Sequence, residues 1–240
     1  MSYGKLRRLA ATALALVLPL SGCGPAVETD AAAELPEGQK LIALTFDDGP
    51  RRSTTTRLLD GLAERGVKAT FFLIGAQIEH NEDVVRRMDE EGHQIGIHTF
   101  DHVKLTGLNR ADFDSQVEKS RDALKAVLGH NDFLLRPPYG MLDESVKSWA
   151  GCPIILWSID PEDWRDQDTD RVAAEVTAGA RDGGIILLHD IFPTTVRAAL
   201  AAVDILLERG FCFVTVEQLL ARRGIEPEDG AVYRQFPPAG

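Results

Sequence analysis

Cysteine is scarce in this sequence, whose 240 residues include three, at positions 23, 152 and 212. A chain of this length can bury a hydrophobic core without disulfide staples, so we expect one large domain. Cys152 and Cys212 each lie beside an apolar run. We expect both to be buried small residues, with a disulfide between them as the alternative outside the cytoplasm.

Basic residues are also in the minority. Lys and Arg number 26 against 37 Asp and Glu, which gives a formal net charge of −11. A chain this acidic binds nucleic acid poorly and disfavours strongly anionic substrates. We therefore expect no nucleic-acid partner, and neutral or cationic partners fit the charge better.

The N-terminal apolar run is short. It covers residues 9–20, and a run of that length is too short to span a bilayer comfortably as a mature helix. The basic head "MSYGKLRR" precedes it and "LSGC" follows at 20–23, which is the pattern of a secretion signal. The Leu-Ser-Gly-Cys ending resembles a bacterial lipobox, which implies cleavage before Cys23 and a lipid on its sulfur. A plain signal peptide is the alternative.

These features predict four segments. A lipoprotein signal peptide would cover 1–22, and the lipidated Cys23 would begin a flexible tether over 23–38. The folded domain would cover 39–224, and a loosely ordered tail would cover 225–240. A lipid on Cys23 would anchor the protein to the extracellular face of the cell membrane.

Short apolar runs alternate with helical patterns along the domain. The runs are too short for buried helices and predict strands at 41–46, 69–74, 94–98, 132–136, 154–159, 185–189 and 211–216. Apolar residues at helical spacing predict helices over 54–65, 82–91, 110–128, 170–182 and 195–209, the third capped by Asn109 and ended by Gly129. This alternation predicts an α/β fold with a parallel sheet, either doubly wound or a barrel, with helices outside.

Polar residues gather where five of these strands end. They are Asp47 and Asp48, the "HTFDH" of 98–102, Arg136, Asp160 with Asp163, and His189 with Asp190. Both candidate folds place catalytic groups at the C-terminal ends of their parallel strands. The sequence therefore predicts one site built from all five groups.

A divalent metal would explain the adjacent carboxylates of "TFDDGP" at 45–50. His98 and His102 are four residues apart, a spacing that presents two imidazoles to one ion, and Asp48 would add an oxygen ligand. The ion's charge would let Asp47 stay ionised beside it as a general base. The alternatives are an ordinary turn for "DDGP" and a surface loop for the histidine pair.

Five motifs together carry a resemblance. "TFDDGP", "HTFDH", "RPPYG", "DPEDW" and "LLHD" occur in this order over about 40–220, and the chain closely resembles the polysaccharide deacetylases, the carbohydrate esterase family 4 or NodB-homology domains. The resemblance implies a distorted (β/α) barrel with about seven parallel strands and helices outside.

The resemblance also implies a role for each matching residue. Asp48, His98 and His102 would hold the metal, for which zinc is the expectation and cobalt, nickel or manganese are alternatives. Asp47 would be the base oriented by Arg136, and His189 the general acid oriented by Asp163. Tyr139 would offer its backbone N–H to an oxyanion, while Trp164 and Leu187 would line the groove. Packing alone could explain Trp164 and Leu187, helix capping could explain Asp160 and Asp190, and Asp101 has no assigned role.

The function implied is removal of N-acetyl groups from an extracellular polysaccharide by a monomeric, metal-dependent hydrolase. For a protein on the outer membrane face, the N-acetylglucosamine or N-acetylmuramic acid of peptidoglycan is the first expectation. Chitin oligomers and acetylated xylan are alternatives within the family. A catalytically silent glycan-binding module and a hydrolase of non-sugar amides are alternatives of other kinds.

Overall fold

The computed structural model describes residues 38–237. The predicted signal peptide, Cys23 and nearly all of the tether therefore lie outside the described residues. Within 38–237, none of the helices combines the length and the apolar character needed to cross a membrane.

A parallel sheet forms the centre of the domain. Its strands are β1 (Lys40–Asp47), β2 (Thr70–Leu73), β3 (Gln94–Ile97), β5 (Gly184–His189) and β6 (Phe211–Val214), in the order β3-β2-β1-β5 with β6 also paired to β1. β5 runs along one edge of β1 from Ile42 to Asp47. β2 pairs with the C-terminal half of β1, and β6 pairs with its N-terminal half. This pairing brings the ends of β1 and β5 side by side, so that Asp47 lies opposite His189.

The ring of strands is a distorted barrel without continuous closure. A separate parallel pair joins β4 (Ile154–Ile155) to β7 (Val232–Tyr233). Single bridges connect Leu135 to Ile97 and to Ile154, and another connects Ile159 to Ile186. The strand predicted at 132–136 is thus reduced to one bridging residue, Leu135, and it cannot extend past 136 because Pro137 and Pro138 lack the N–H that a ladder needs.

Helices cover the outside of the sheet. They are α1 (Arg52–Glu64), α2 (Glu82–Glu90), α3 (Arg110–Leu128), α4 (Glu144–Trp149), α5 (Asp163–Asp166), α6 (Thr169–Gly179), α7 (Pro193–Glu208) and α8 (Val216–Arg222). The five predicted helices are present, and the short α4, α5 and α8 were not predicted. Asn109 caps α3 by accepting the N–H of Asp112, and Gly129 ends it in the left-handed region at φ 81°. A capping box of Thr215 and Gln218 begins α8.

The segment predicted as a loosely ordered tail is instead part of the fold up to residue 237. β7 pairs with β4, and Phe236 is 1% exposed and belongs to the core that contains Leu41 and Ile155. The prediction was wrong because Tyr233 and Phe236 supply apolar contacts that the Pro- and acid-rich composition conceals. Cys152 and Cys212 are both buried as expected, and Cys152 carries a free thiol, which excludes the disulfide between them.

Candidate active site

A groove of about 390 Å³ opens at the C-terminal ends of β1, β3 and β5. Residues from all five sequence motifs line it or stand directly behind its wall. Those that line it are Asp47, Asp48, His98, His102, Tyr139, Trp157, Asp160, Trp164, Leu187, His189 and Phe192. The strand ends therefore bring the predicted residues together in one place.

Asp48, His98 and His102 form a cluster suited to a metal ion. Oδ1 of Asp48 lies 3.4 Å from Nε2 of His98 and 3.2 Å from Nε2 of His102. Within the described residues, this is the group whose ligand atoms all lie within 4.8 Å of one another. Two ligands that are each about 2.1 Å from a tetrahedral ion stand about 3.4 Å apart, so the separations fit one ion.

Hydrogen bonding prepares the same three residues for a cation. Nδ1 of His98 lies 2.7 Å from the carbonyl of Arg136 and donates its proton there, which leaves the lone pair on Nε2 facing Asp48. Oδ1 of Asp48 is buried with no hydrogen-bond donor among the described residues. A buried carboxylate oxygen in that state is costly unless a cation satisfies it.

The local charges favour the ligand forms of these side chains. Burial raises the pKa of Asp48, but the interaction with His98, 3.4 Å away, and the charges of His189 and His102 outweigh it and leave that pKa below its ordinary value. Burial lowers the pKa of His102 despite the opposing charge of Asp48. An ionised aspartate and a neutral imidazole are the forms that bind a metal.

Arg136 fixes Asp47 at the edge of the groove. Its guanidinium is fully buried and donates from Nη1 to Oδ1 of Asp47 and to the hydroxyl of Thr45, both at 2.7 Å. Nε donates to the carbonyl of Ile155, and the guanidinium stacks 4.1 Å from the ring centre of Phe72. Burial lowers the pKa of Arg136 while Asp47 opposes that change. The ion pair holds Asp47 with its other oxygen 3.7 Å from Nε2 of His98.

Asp163 orients His189 in the opposite wall. Oδ1 of Asp163 lies 2.8 Å from Nδ1 of His189, and Oδ2 accepts the backbone N–H of His189 and the hydroxyl of Thr195. Burial lowers the pKa of His189, but the hydrogen bond and charge of Asp163, helped by Asp47 and Asp48, raise it to about 9. His189 therefore carries a proton at neutral pH and presents Nε2 to the groove.

Aromatic and apolar side chains complete the groove. Tyr139 and Trp164 are 65% and 52% exposed, so both are available to a ligand, whereas Leu187 is buried in the floor. Trp157 and Phe192 also line the groove and were missed as site residues, and Asp160, for which helix capping was the alternative, lines it too. Trp157 donates from Nε1 to Asp160 at 3.0 Å. Trp157 lies inside the strand predicted at 154–159, but the observed β4 ends two residues before it, at Ile155, so no direct signal in the sequence indicated that it lines the groove.

Asp190 does not cap a helix, in contrast to the role considered for it. It is fully buried, accepts the hydroxyl proton of Thr55, and contacts the place where a side chain on Gly49 would lie. Burial raises the pKa of Asp190 to about 7, against the hydrogen bond from Thr55. Its carboxyl therefore packs beneath the turn that carries Asp48.

Comparison with known proteins shows the family to which the chain belongs. The family model for polysaccharide deacetylase matches residues 34–151. The peptidoglycan-N-acetylmuramic acid deacetylase PdaC of Bacillus subtilis is 38% identical over 181 residues, which are 75% of this chain and 39% of PdaC. A solved structure of PdaC superposes with a TM-score of 0.75 at 37% identity, covering 77% of this chain and 91% of that one. The chain belongs to the polysaccharide deacetylase family.

Two further similar proteins extend the comparison. The peptidoglycan-N-acetylglucosamine deacetylase PgdA of Listeria monocytogenes is 41% identical over 192 residues, which are 79% of this chain and 41% of PgdA. A family 4 acetyl xylan esterase of Clostridium thermocellum, solved with a cobalt ion, has a TM-score of 0.79 at 30% identity and covers 82% of this chain and 100% of that one. The chain spans about two fifths of the length of PgdA and of PdaC.

Proposed function

We propose that this protein hydrolyses N-acetyl groups of peptidoglycan, on N-acetylglucosamine or N-acetylmuramic acid, and releases acetate. The observation that carries the proposal is the cluster of Asp48, His98 and His102 beside the Arg136-bound Asp47, facing the protonated His189. PgdA and PdaC, which are named for these two sugars, are the relatives that support the choice of substrate.

Asp48, His98 and His102 would hold one divalent ion, for which we propose zinc, with cobalt, nickel or manganese as alternatives. When bound, the ion would polarise the acetamide carbonyl and make a water more acidic. Residues of the chain then account for the remaining chemistry.

Asp47 would take a proton from the attacking water, since Arg136 holds its carboxylate at the groove edge. The water oxygen adds to the acetamide carbon, and the backbone N–H of Tyr139 would stabilise the negative oxygen; one such donor contributes ~3–4 kcal/mol. His189 would give its proton to the amide nitrogen, so that the carbon–nitrogen bond breaks and the sugar leaves as an amine. Leu187 and Trp164 would enclose the acetyl methyl and the sugar ring.

We also propose the lipid anchor on Cys23 and a location on the extracellular face of the cell membrane. The basic head, short apolar run and "LSGC" of the sequence support both. We also propose that the protein is a monomer.

The test measures acetate release from peptidoglycan, a chitin oligomer and acetylated xylan, with added zinc and with chelator, and with Asp47→Asn as the inactive control. We expect metal-dependent release that is fastest on peptidoglycan. Faster release from chitin or xylan would overturn the substrate assignment, in favour of the alternatives within the family. Glycan binding without release from any of the three would favour a silent binding module.

A further inference from the structure

Asp101 stands between the two histidines of "HTFDH" and has no part in the chemistry described above. Its carboxylate is exposed and Oδ2 accepts a hydrogen bond of 2.9 Å from Nε2 of Gln116, a residue of α3. Oε1 of the same Gln116 accepts the backbone N–H groups of Phe100 at 3.1 Å and Asp101 at 2.9 Å. The carboxamide of Gln116 therefore makes three hydrogen bonds to the turn at 99–101, which lies between the two histidines.

The opposite side of this turn is held by backbone groups. The N–H groups of Gly75 and Ala76, which follow β2, donate to the carbonyls of Thr99 and Phe100, both at 2.9 Å. Gly75 must lack a side chain, because a Cβ there would come within 2.6 Å of the Phe100 ring. Residues 99–101 are thus clamped between the end of β2 and the side chain of Gln116.

The clamp matters because the backbone of the turn is in an unfavourable conformation. Thr99 and His102 have φ values of 62° and 57°, in the left-handed region that favours glycine, and threonine is β-branched. His98 is fixed by β3 and by the carbonyl of Arg136. His102 lies beyond the turn, so its approach to Asp48 depends on how the turn is held.

We propose that Gln116 and Asp101 are positioning residues that hold His102 within metal-binding distance of Asp48 and His98. This inference rests on the metal role proposed above for those three residues. Outer partners that orient metal ligands in this way typically change metal affinity by about 10- to 100-fold when they are removed.

The experiment measures zinc dissociation constants of the full chain by competition with a chromophoric chelator, and the visible spectrum of the cobalt-loaded chain. Gln116→Met keeps the size and helix preference of the side chain but removes all three hydrogen bonds, so we expect zinc to bind about 10- to 100-fold more weakly with a changed cobalt spectrum. Lys119→Met is the matched control, since Nζ of Lys119 lies over the Phe100 ring at 5.8 Å without bonding to the turn. We expect this control to bind zinc as the wild type does.

Two substitutions of Asp101 separate the effect of its hydrogen bond on zinc binding from the effect of its charge. Asp101→Asn keeps an oxygen that can accept from Gln116 and should bind zinc as the wild type does, whereas Asp101→Ala should bind it more weakly. Equal losses in both variants would mean that the charge of Asp101 attracts the ion, and would overturn its positioning role. Since Asp101 is exposed, these variants test the proposal even if Gln116→Met fails to fold.

The outcomes also distinguish this inference from the proposed function. If the wild-type chain binds zinc and His98→Ala abolishes that binding, the metal site stands. An unchanged dissociation constant in Gln116→Met would then overturn the positioning role alone. A wild-type chain that binds none of zinc, cobalt, nickel and manganese would overturn the proposed function and this inference together.

Discussion

Replacement of Asp163 by asparagine tests the acid side of the proposed mechanism. Burial lowers the pKa of His189, but the hydrogen bond and the charge of Asp163 outweigh burial and raise this pKa from 6.5 to about 9. This difference corresponds to about 3 kcal/mol in favour of the imidazolium. Asp163→Asn keeps an oxygen for the hydroxyl of Thr195 but removes the charge that holds the proton.

The expected result is a shift of the alkaline limb of kcat toward lower pH. The general acid must carry a proton, so activity falls as pH rises through its pKa. If that pKa returned to its ordinary value, the protonated fraction at pH 8 would fall from about nine tenths to about one thirtieth, whereas at pH 6 it would fall only from nearly one to about three quarters. A bound cation would offset the negative charges of Asp47 and Asp48 and move the alkaline limb to lower pH in the wild type and the variant alike. Both proteins are therefore compared at the same zinc concentration.

The assay is acetate release at saturating substrate across pH 5.5 to 10, in steps that define both limbs. An NMR titration of the His189 ring, assigned by its absence in His189→Gln, gives the pKa directly. A uniform loss of activity at every pH would refute the reasoning, because it would mean that Asp163 supports the structure rather than the protonation of His189.

Three further predictions concern the base, the metal and a buried histidine. Asp47→Asn should lower kcat by about 10²- to 10⁴-fold and leave the zinc dissociation constant close to wild type; near-normal turnover would overturn the base assignment. Exhaustive chelation should silence the enzyme and zinc or cobalt should restore it, so activity that survives chelation would rule out the metal mechanism. Burial, with Lys68 and Arg87, lowers the pKa of His93 to about 3, while Nδ1 accepts the N–H of Ala69. Below about pH 6.5 the unfolded chain binds a proton at His93 and the folded chain does not. The free energy of unfolding should therefore decrease as the pH is lowered from 6.5 to 3, by about 2–3 kcal/mol at pH 4.5. His93→Asn should remove this decrease when unfolding by urea is measured at each pH, and an unchanged pH dependence in that variant would contradict the assignment.

The sequence predicts the central sheet well because its strands are buried on both faces. β1, β2 and β5 appear as continuous apolar runs, and their helices carry clear apolar stripes between glycine or asparagine ends. The elements that escaped prediction are short. α4, α5 and β7 have six, four and two residues, too few for any periodicity to stand out. α8 could have been found from the capping box that Thr215 and Gln218 form.

The candidate site was predictable as a set of residues, but not as a geometry. Strand ends of a parallel sheet meet at one edge, so Asp47, His98 and His189 were expected to gather. The partners that orient them were harder to infer without a resemblance. Thr45 and Phe72 surround the guanidinium of Arg136, and Thr195 supports Asp163, through contacts between residues far apart in the chain. Distances of that kind depend on packing rather than on any local pattern.

Backbone conformation at the site shows why local rules fail where function is concentrated. Six non-glycine residues between 38 and 237 have positive φ, and four of them, Asp48, Thr99, His102 and Tyr139, lie in the sequence motifs that form the site. Each such residue costs ~1–3 kcal/mol, and glycine would relieve the cost. Glycine at 48 or 102 would remove a proposed metal ligand, so the chain keeps the side chain and holds the backbone by other means, as Gln116 does for the turn at 99–101. A non-glycine residue with positive φ is therefore itself a sign of the site. The sequence does not reveal it, because the φ angles are known only once the fold is known.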